Sequence, residues 1–140
     1  MSPVEKFSLF YQELENLDTS GLTDVYSEDI EFIDPITTHN GINSVKNYFD
    51  RLLQGAKSCS FTIHHLRHCG ENNYTAEWRM AFVSKALKTD DPIVVDGITV
   101  LKVNEIHVTY HRDYYDMGQL AYEHVPLLGY FVKRVKEKLK

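Results

Sequence analysis

Three side chains of this 140-residue chain have the type and spacing for moving a proton: Asp34, set directly before Pro35, and the pair His111 and Asp113. A carboxylate desolvated among apolar neighbours holds its proton more tightly. It can then act as a general base near neutral pH, with a nearby His or carboxyl group as the acid. On an extended backbone, residues two apart share a face at a separation of roughly 6.6 Å, so His111 and Asp113 can share a hydrogen bond or one bound water. A purely structural role is open for each carboxylate. Asp34 can cap the turn that Pro35 begins, and Asp113 can pair with Arg79 of a neighbouring strand.

A second cluster, His64-His65-Leu66-Arg67-His68-Cys69, has the residue types of a metal site. The β-branched and aromatic residues before it and Gly70 after it favour a strand. On a strand His64 and His68 stand roughly 13 Å apart, too far to share one ion. No metal and no other cofactor is expected. Cys59 and Cys69 are too few for a disulfide framework and lack metal-pair spacing, which fits a reduced, cytoplasmic protein. The net charge of −5 argues against general affinity for nucleic-acid backbones. No signal peptide and no apolar run long enough to span a bilayer is expected.

The elements that must hold these groups follow from hydrophobic period. Phe7, Phe10, Tyr11, Leu14 and Leu17 recur at helical spacing after Pro3. Leu22, Val25 and Tyr26 read as a short second helix, and Ile30, Phe32 and Asp34 alternate along a strand that Pro35 must end. Gly41 opens a third helix, with Asn43 or Ser44 as N-cap and Val45, Tyr48, Phe49, Leu52 and Leu53 as its buried stripe. From residue 58 the period changes. Stretches 58–69, 74–85, 93–103 and 106–115 are β-branched and aromatic, separated by short turns, and so are antiparallel neighbours. From Val125 helical spacing returns through Leu128, Phe131, Val132, Val135 and Leu139, with Lys133, Arg134, Lys136, Lys138 and Lys140 opposite. The fold class is α+β: one sheet with helices on one face, in a single domain over residues 1–140 whose residues 118–140 form a C-terminal helical extension. Tyr114, Tyr115, Tyr122 and Tyr130 are expected to pack the sheet against that extension.

Residues 26–35, reading YSEDIEFIDP, then Gly41 at a helix start, and the last strand's HRDYYD over 111–116 resemble the nuclear transport factor 2-like superfamily. SnoaL-like polyketide cyclases, ketosteroid isomerase and limonene epoxide hydrolase belong to that group. The resemblance covers about residues 7–116. It implies a cone-like curved, mostly antiparallel sheet wrapped around the N-terminal helices, a pocket at the wide end, and a homodimer through the sheet's outer face. By the resemblance His107, Thr109, His111, Asp113 and Tyr115 face the pocket, with Val108, Tyr110 and Tyr114 outward, and Trp78, Met80 and Phe82 supply the apolar wall. Asp34 holds the place of the isomerase's general base. Phe10 falls where that enzyme has its oxyanion tyrosine, with Tyr11 one step away, and Thr99 falls on its oxyanion acid. Asp113 resembles an acid of the epoxide hydrolase and Arg79 stands near its arginine, but Ala81 occupies the place of the second acid.

Three readings follow. The first is a pocket protein that binds a small hydrophobic molecule through Trp78, Met80, Phe82, Tyr11, Thr99 and Thr109. The second is an acid/base enzyme, an isomerase, cyclase or hydrolase, using Asp34, Asp113 and His111. The third is a protein- or lipid-surface adaptor, and in that setting the basic C-terminal helix can contact a membrane surface.

Overall fold

The computed structural model describes residues 1–120 and 126–140, with the side chains of 126 and 127 left aside. Tyr122, one of the four tyrosines expected against the C-terminal helix, lies outside the described residues, as does Val125.

The first helix, α1, runs over Pro3–Glu13. Ser2 caps it: its side chain accepts from Glu5 N, while Glu5 reaches back to the Ser2 amide. Phe7, Phe10, Tyr11 and Leu14 are buried along one stripe. Leu17 departs from the expected stripe. The chain tightens into a 3-10 turn over Leu14–Asn16, Leu17 takes a left-handed conformation at φ 56°, and its side chain is exposed. After α2 (Leu22–Val25) comes β1 (Tyr26–Ile33), so Tyr26 begins the strand rather than ending the helix. A short strand that periodicity did not signal, β2 (Thr38–Asn40), pairs antiparallel with β1.

Helix α3 spans Ile42–Gln54. Its N-cap is Gly41, at φ 86° and ψ 158°, instead of Asn43 or Ser44. That backbone region is open almost only to glycine, so the position is fixed by backbone geometry and not by a capping side chain. Four strands follow: β3 (Ala56–His68), β4 (Asn73–Ser84), β5 (Ile93–Val103) and β6 (Val108–Tyr115). The spatial order is β2-β1-β6-β5-β4-β3, antiparallel except for the parallel pair of β1 with β6. Two short segments close the chain, α4 (Met117–Leu120) and α5 (Pro126–Lys138).

The sheet is curled but not closed. Helix α3 touches β1 and β2 at one edge and β3 at the other. Six strands at a spacing of about 4.8 Å span roughly 24 Å when flat, more than twice the width of a helix. One helix reaches both edges only if the sheet bends around it. The hollow so formed holds α1 and α3 and a core rich in aromatics, with Phe7, Phe10, Tyr26, Phe32 and Phe49 almost fully enclosed.

Bulges adjust the bend, and one of them re-aims a strand. Lys102 pairs with Tyr110 but Val103 pairs with Val108, leaving Thr109 as the extra residue. Val108 is therefore turned into the core, fully buried, where simple alternation placed it outside. Thr109 is spent on a hydrogen bond from its hydroxyl to the Lys102 carbonyl at 3.3 Å. His107, expected on the inner face, precedes β6 in a turn fastened by the Asn104 side chain.

Candidate functional site

Under the curl lies a partly enclosed cavity of about 460 Å³ of empty space, of which about 40 Å³ admits the centre of a water-sized sphere. That 40 Å³ is far below the roughly 300–1,000 Å³ of small-molecule sites, and the larger figure includes open solvent at the mouth. The inner part is tight, with room for about three waters at ~10–15 Å³ each. Helices α1 and α3 contribute Tyr11, Tyr48, Phe49 and Leu52 to the walls, and α4 contributes Leu120. Phe61, Trp78, Met80 and Val95 come from β3, β4 and β5, while Asp113 and Tyr115 come from β6. Asp113 is the single ionisable acid on the wall, and the rest is apolar surface and phenol.

The carboxylate is held with care. His111, fully buried, places Nε2 2.7 Å from Asp113 Oδ1. Thr99, opposite Asp113 on β5, places its hydroxyl 2.6 Å from the same oxygen. Trp78 Nε1 lies 2.8 Å from Thr99 Oγ1. Because an indole N–H only donates, Thr99 accepts there and directs its own proton to Asp113. A carboxylate only accepts, so His111 donates from Nε2, and in that neutral tautomer its Nδ1 is the acceptor. The Tyr26 hydroxyl, 2.9 Å away, supplies that proton. Tyr11 OH lies 3.2 Å from Tyr26 OH and so donates to it in turn. One chain of donors thus runs from Tyr11 through Tyr26 and His111 to Asp113. Oδ1 holds two donors, and the second oxygen has no partner among the described residues.

Strand pairing explains why these groups meet. Phe32 on β1 lies beside His111 on β6 in the parallel register, and the two rings stack with centroids 3.9 Å apart. The register of β5 with β6 sets Thr99 against Asp113. Electrostatics keep the phenols protonated. Burial, then the Tyr26 and Asp113 charges, hold Tyr11 well above its usual range; burial does the same for Tyr26. Tyr48 is raised by burial and next by Asp113, and Tyr115 by burial and then by Asp34 and Asp113. The hydroxyls of Tyr48 and Tyr115 have no hydrogen-bond partner among the described residues, and both side chains line the cavity.

Other residues singled out from the sequence sit elsewhere. Asp34 is buried but does not line the cavity. Its Oδ1 accepts from the amides of Ile36 at 2.8 Å and Thr37 at 2.9 Å, so it closes the turn at Pro35. Its other oxygen faces His39 Nε2 at 3.6 Å, beyond hydrogen-bond reach, and that buried nitrogen has no hydrogen-bond partner among the described residues. Phe82 packs near the end of β4 against the core edge and Thr109 occupies its bulge; neither lines the cavity. Thr99 stands behind the wall, one hydrogen bond from it. Arg79 points to the outer face and pairs with Asp96 at 2.8 Å, leaving Asp113 to His111. His64, His65 and His68 are exposed on β3, and no group of three or more metal-ligating side chains occurs among the described residues.

Two participants were not singled out: Tyr26 read as a helix residue and Tyr48 as helix stripe. Tyr115 was expected on the pocket face as well as against the C-terminal helix. Gly97 drew no attention, yet a Cβ there would lie 2.4 Å from the Trp78 ring. A glycine inside a β-branched run marks close approach of a neighbour and was the available signal.

Residues 7–111 match the SnoaL-like domain family, and the chain belongs to it. Among solved structures, the fold is similar to a protein with ketosteroid isomerase-like fold from Catenulispora acidiphila in complex with trimethylamine, at 19% identity and a TM-score of 0.73, covering 85% of this chain and 90% of that one. It is similar also to an epoxide hydrolase of M. tuberculosis resembling limonene epoxide hydrolase, at 19% identity and TM-score 0.67, with 81% and 82% covered. TerC co-crystallised with polyporic acid has 13% identity and TM-score 0.70, with 81% and 91% covered. No curated protein matches the chain.

Proposed function

We propose that this SnoaL-like chain binds a small hydrophobic molecule in the cavity and removes a proton from it with Asp113. The observation that carries the reading is the commitment of Asp113 Oδ1 to two donors, His111 and Thr99, while its other oxygen is unpartnered in a wall otherwise apolar or phenolic. An acid held this way is oriented before substrate arrives and has one oxygen to spare for it. His111 is the positioning residue: it fixes the carboxylate and is itself fixed by Tyr26. Tyr48 and Tyr115, protonated through burial, are placed to donate to an oxygen on which negative charge develops. That set suits a carbonyl compound with an acidic neighbouring C–H. The TerC complex with polyporic acid supports a hydrophobic ligand for the fold.

Two further features accompany this reading. Val94 and Tyr114, exposed on the outer face of the sheet, suit a homodimer through that face, and two free cysteines suit the reducing cytoplasm.

The test is deuterium exchange at the α-carbon of a small cyclic ketone such as cyclohexanone, followed by NMR beside thermal-shift binding. Wild-type protein should speed exchange over buffer, and Asp113→Asn should lose about a hundredfold or more of that rate while still binding. Thr99→Val should lower the rate less. Binding of ketones without any exchange would favour the second reading, a carrier with the same pocket and no turnover.

A further inference from the structure

The amphipathic segment at the C-terminal side of the fold has a face that the cavity does not use. Helix α5 is 13 residues long, about 20 Å at 1.5 Å per residue. Residues 128, 131, 135 and 139 recur at steps of three and four and so form one stripe. All four are exposed: Leu128 at 45%, Phe131 at 53%, Val135 at 57% and Leu139 at 81%. The side of α5 turned to the body is marked by buried Gly129 and by the ion pair of Lys136 with Asp116. On a helical projection those two residues lie about a quarter turn from the stripe. The four side chains are thus exposed beside the contact with the body, with Val132 half-buried at the boundary.

Charge separates the candidate partners. Residues 126–140 carry five Lys or Arg against one Glu, a net of +4 in a chain totalling −5, so the remaining residues carry −9. The cations flank the stripe on both edges, with Arg134 and Lys138 along one side and Lys140 along the other, where Lys136 is turned to Asp116. Two such helices laid stripe to stripe would set like charges together. An anionic bilayer satisfies both parts at once: acyl chains take Leu128, Phe131, Val135 and Leu139, and lysine stems reach up to headgroups at either edge. At about 20 Å the helix is too short for the roughly 30 Å hydrocarbon core, and no described helix is long and apolar enough to cross a membrane. It can lie along a membrane but not span it.

We propose that α5 docks the protein on an anionic phospholipid surface, apolar stripe inward and basic edges at the headgroups. The acidic body is repelled by that surface, so contact depends on the helix and its own cations. The contact is reversible and salt-sensitive.

Flotation of the full chain with vesicles of phosphatidylcholine alone, or of phosphatidylcholine with phosphatidylserine, tests this. Wild-type protein should partition to the anionic vesicles at least about tenfold more strongly, and salt should abolish the difference. Phe131→Asn combined with Val135→Asn, and separately Arg134→Glu combined with Lys138→Glu, should each lose flotation. All four positions are exposed, so far-ultraviolet circular dichroism and the melting curve should be unchanged. Equal partition on both lipids would overturn the proposal. So would a wild-type chain that stays off vesicles, whether as a monomer or as a dimer that the Phe131 and Val135 changes convert to monomer. In the dimer case the stripe is a contact between copies.

Discussion

At the level of single residues the site is a matter of who donates to whom. Trp78 is the lone tryptophan of the chain, and its N–H fixes Thr99, which fixes Asp113. The indole lies so close over Gly97 that a methyl group would sit 2.4 Å from Cζ2. It is also packed by Phe61 and Tyr115, so it has little freedom to yield. Gly97→Ala should therefore destabilise the fold by about 1–3 kcal/mol, as overpacking does. It should also change the fluorescence of Trp78, which reports on this spot alone; a variant with unaltered urea midpoint and emission would contradict the account. His111 and Asp113 were legible from the sequence because a strand puts residues two apart on one face. Their partners Thr99 and Tyr26 depend on strand register and on a parallel pairing across the whole chain, which no local pattern encodes. Asp34 shows the other of its two expected roles: before a proline, its Oδ1 closes its own turn.

Among the elements, periodicity located the long helices and strands, and it failed where the backbone departs from regular spacing. The extra residue at Thr109 swaps the faces of Val108 and its neighbours, so alternation read back from Asp113 misplaces them. Short β2 and α4 bury too little for a pattern to emerge. The C-terminal helix has a clear 3.6-residue period, yet of its apolar stripe only Val132 is half-buried, and Leu128, Phe131, Val135 and Leu139 are exposed. Tyr130, expected against the sheet, is 56% exposed and bonded to Arg134 on its own helix. With few tertiary contacts to hold it, α5 should open at low free energy. Hydrogen–deuterium exchange should label amides of 129–138 orders of magnitude faster than those of β4 and β5. Equal protection in the two regions would show that the helix is held more firmly than its exposure implies.

For the molecule as a whole, ionisable groups sealed in the core set an alkaline limit. Burial holds Tyr11, Tyr26 and Tyr48 well above their usual value of 10.0, and pushes the Cys59 thiol from 9.0 up to about 12. Each group keeps its proton longer in the folded state than in the unfolded chain. The stability linked to them is fully present below about pH 9 and falls as pH rises through the folded values, by up to about 1.4 kcal/mol per pH unit for each group. Urea midpoints followed upward from neutral pH should be level and then drop steeply above pH 9–10, with tyrosinate absorbance appearing together with unfolding. Midpoints that stay flat through this range would mean that the phenols reach water in the native state. The overall architecture was readable beforehand from the order of helices and strands and from the family resemblance. The size of the cavity was not, because it depends on how aromatic rings close against one another.

The parallel pairing of β1 with β6 bears on how the protein is made. Of the six strands β6 is the last in chain order, yet it occupies the middle of the sheet, between β1 and β5. Until it has emerged from the ribosome, two strand edges stand open and sticky, and the halves of the sheet have no common seam. The segment bearing His111 and Asp113 is therefore also the keystone of assembly. A nascent chain stalled before it would be a target for chaperones rather than a smaller working protein.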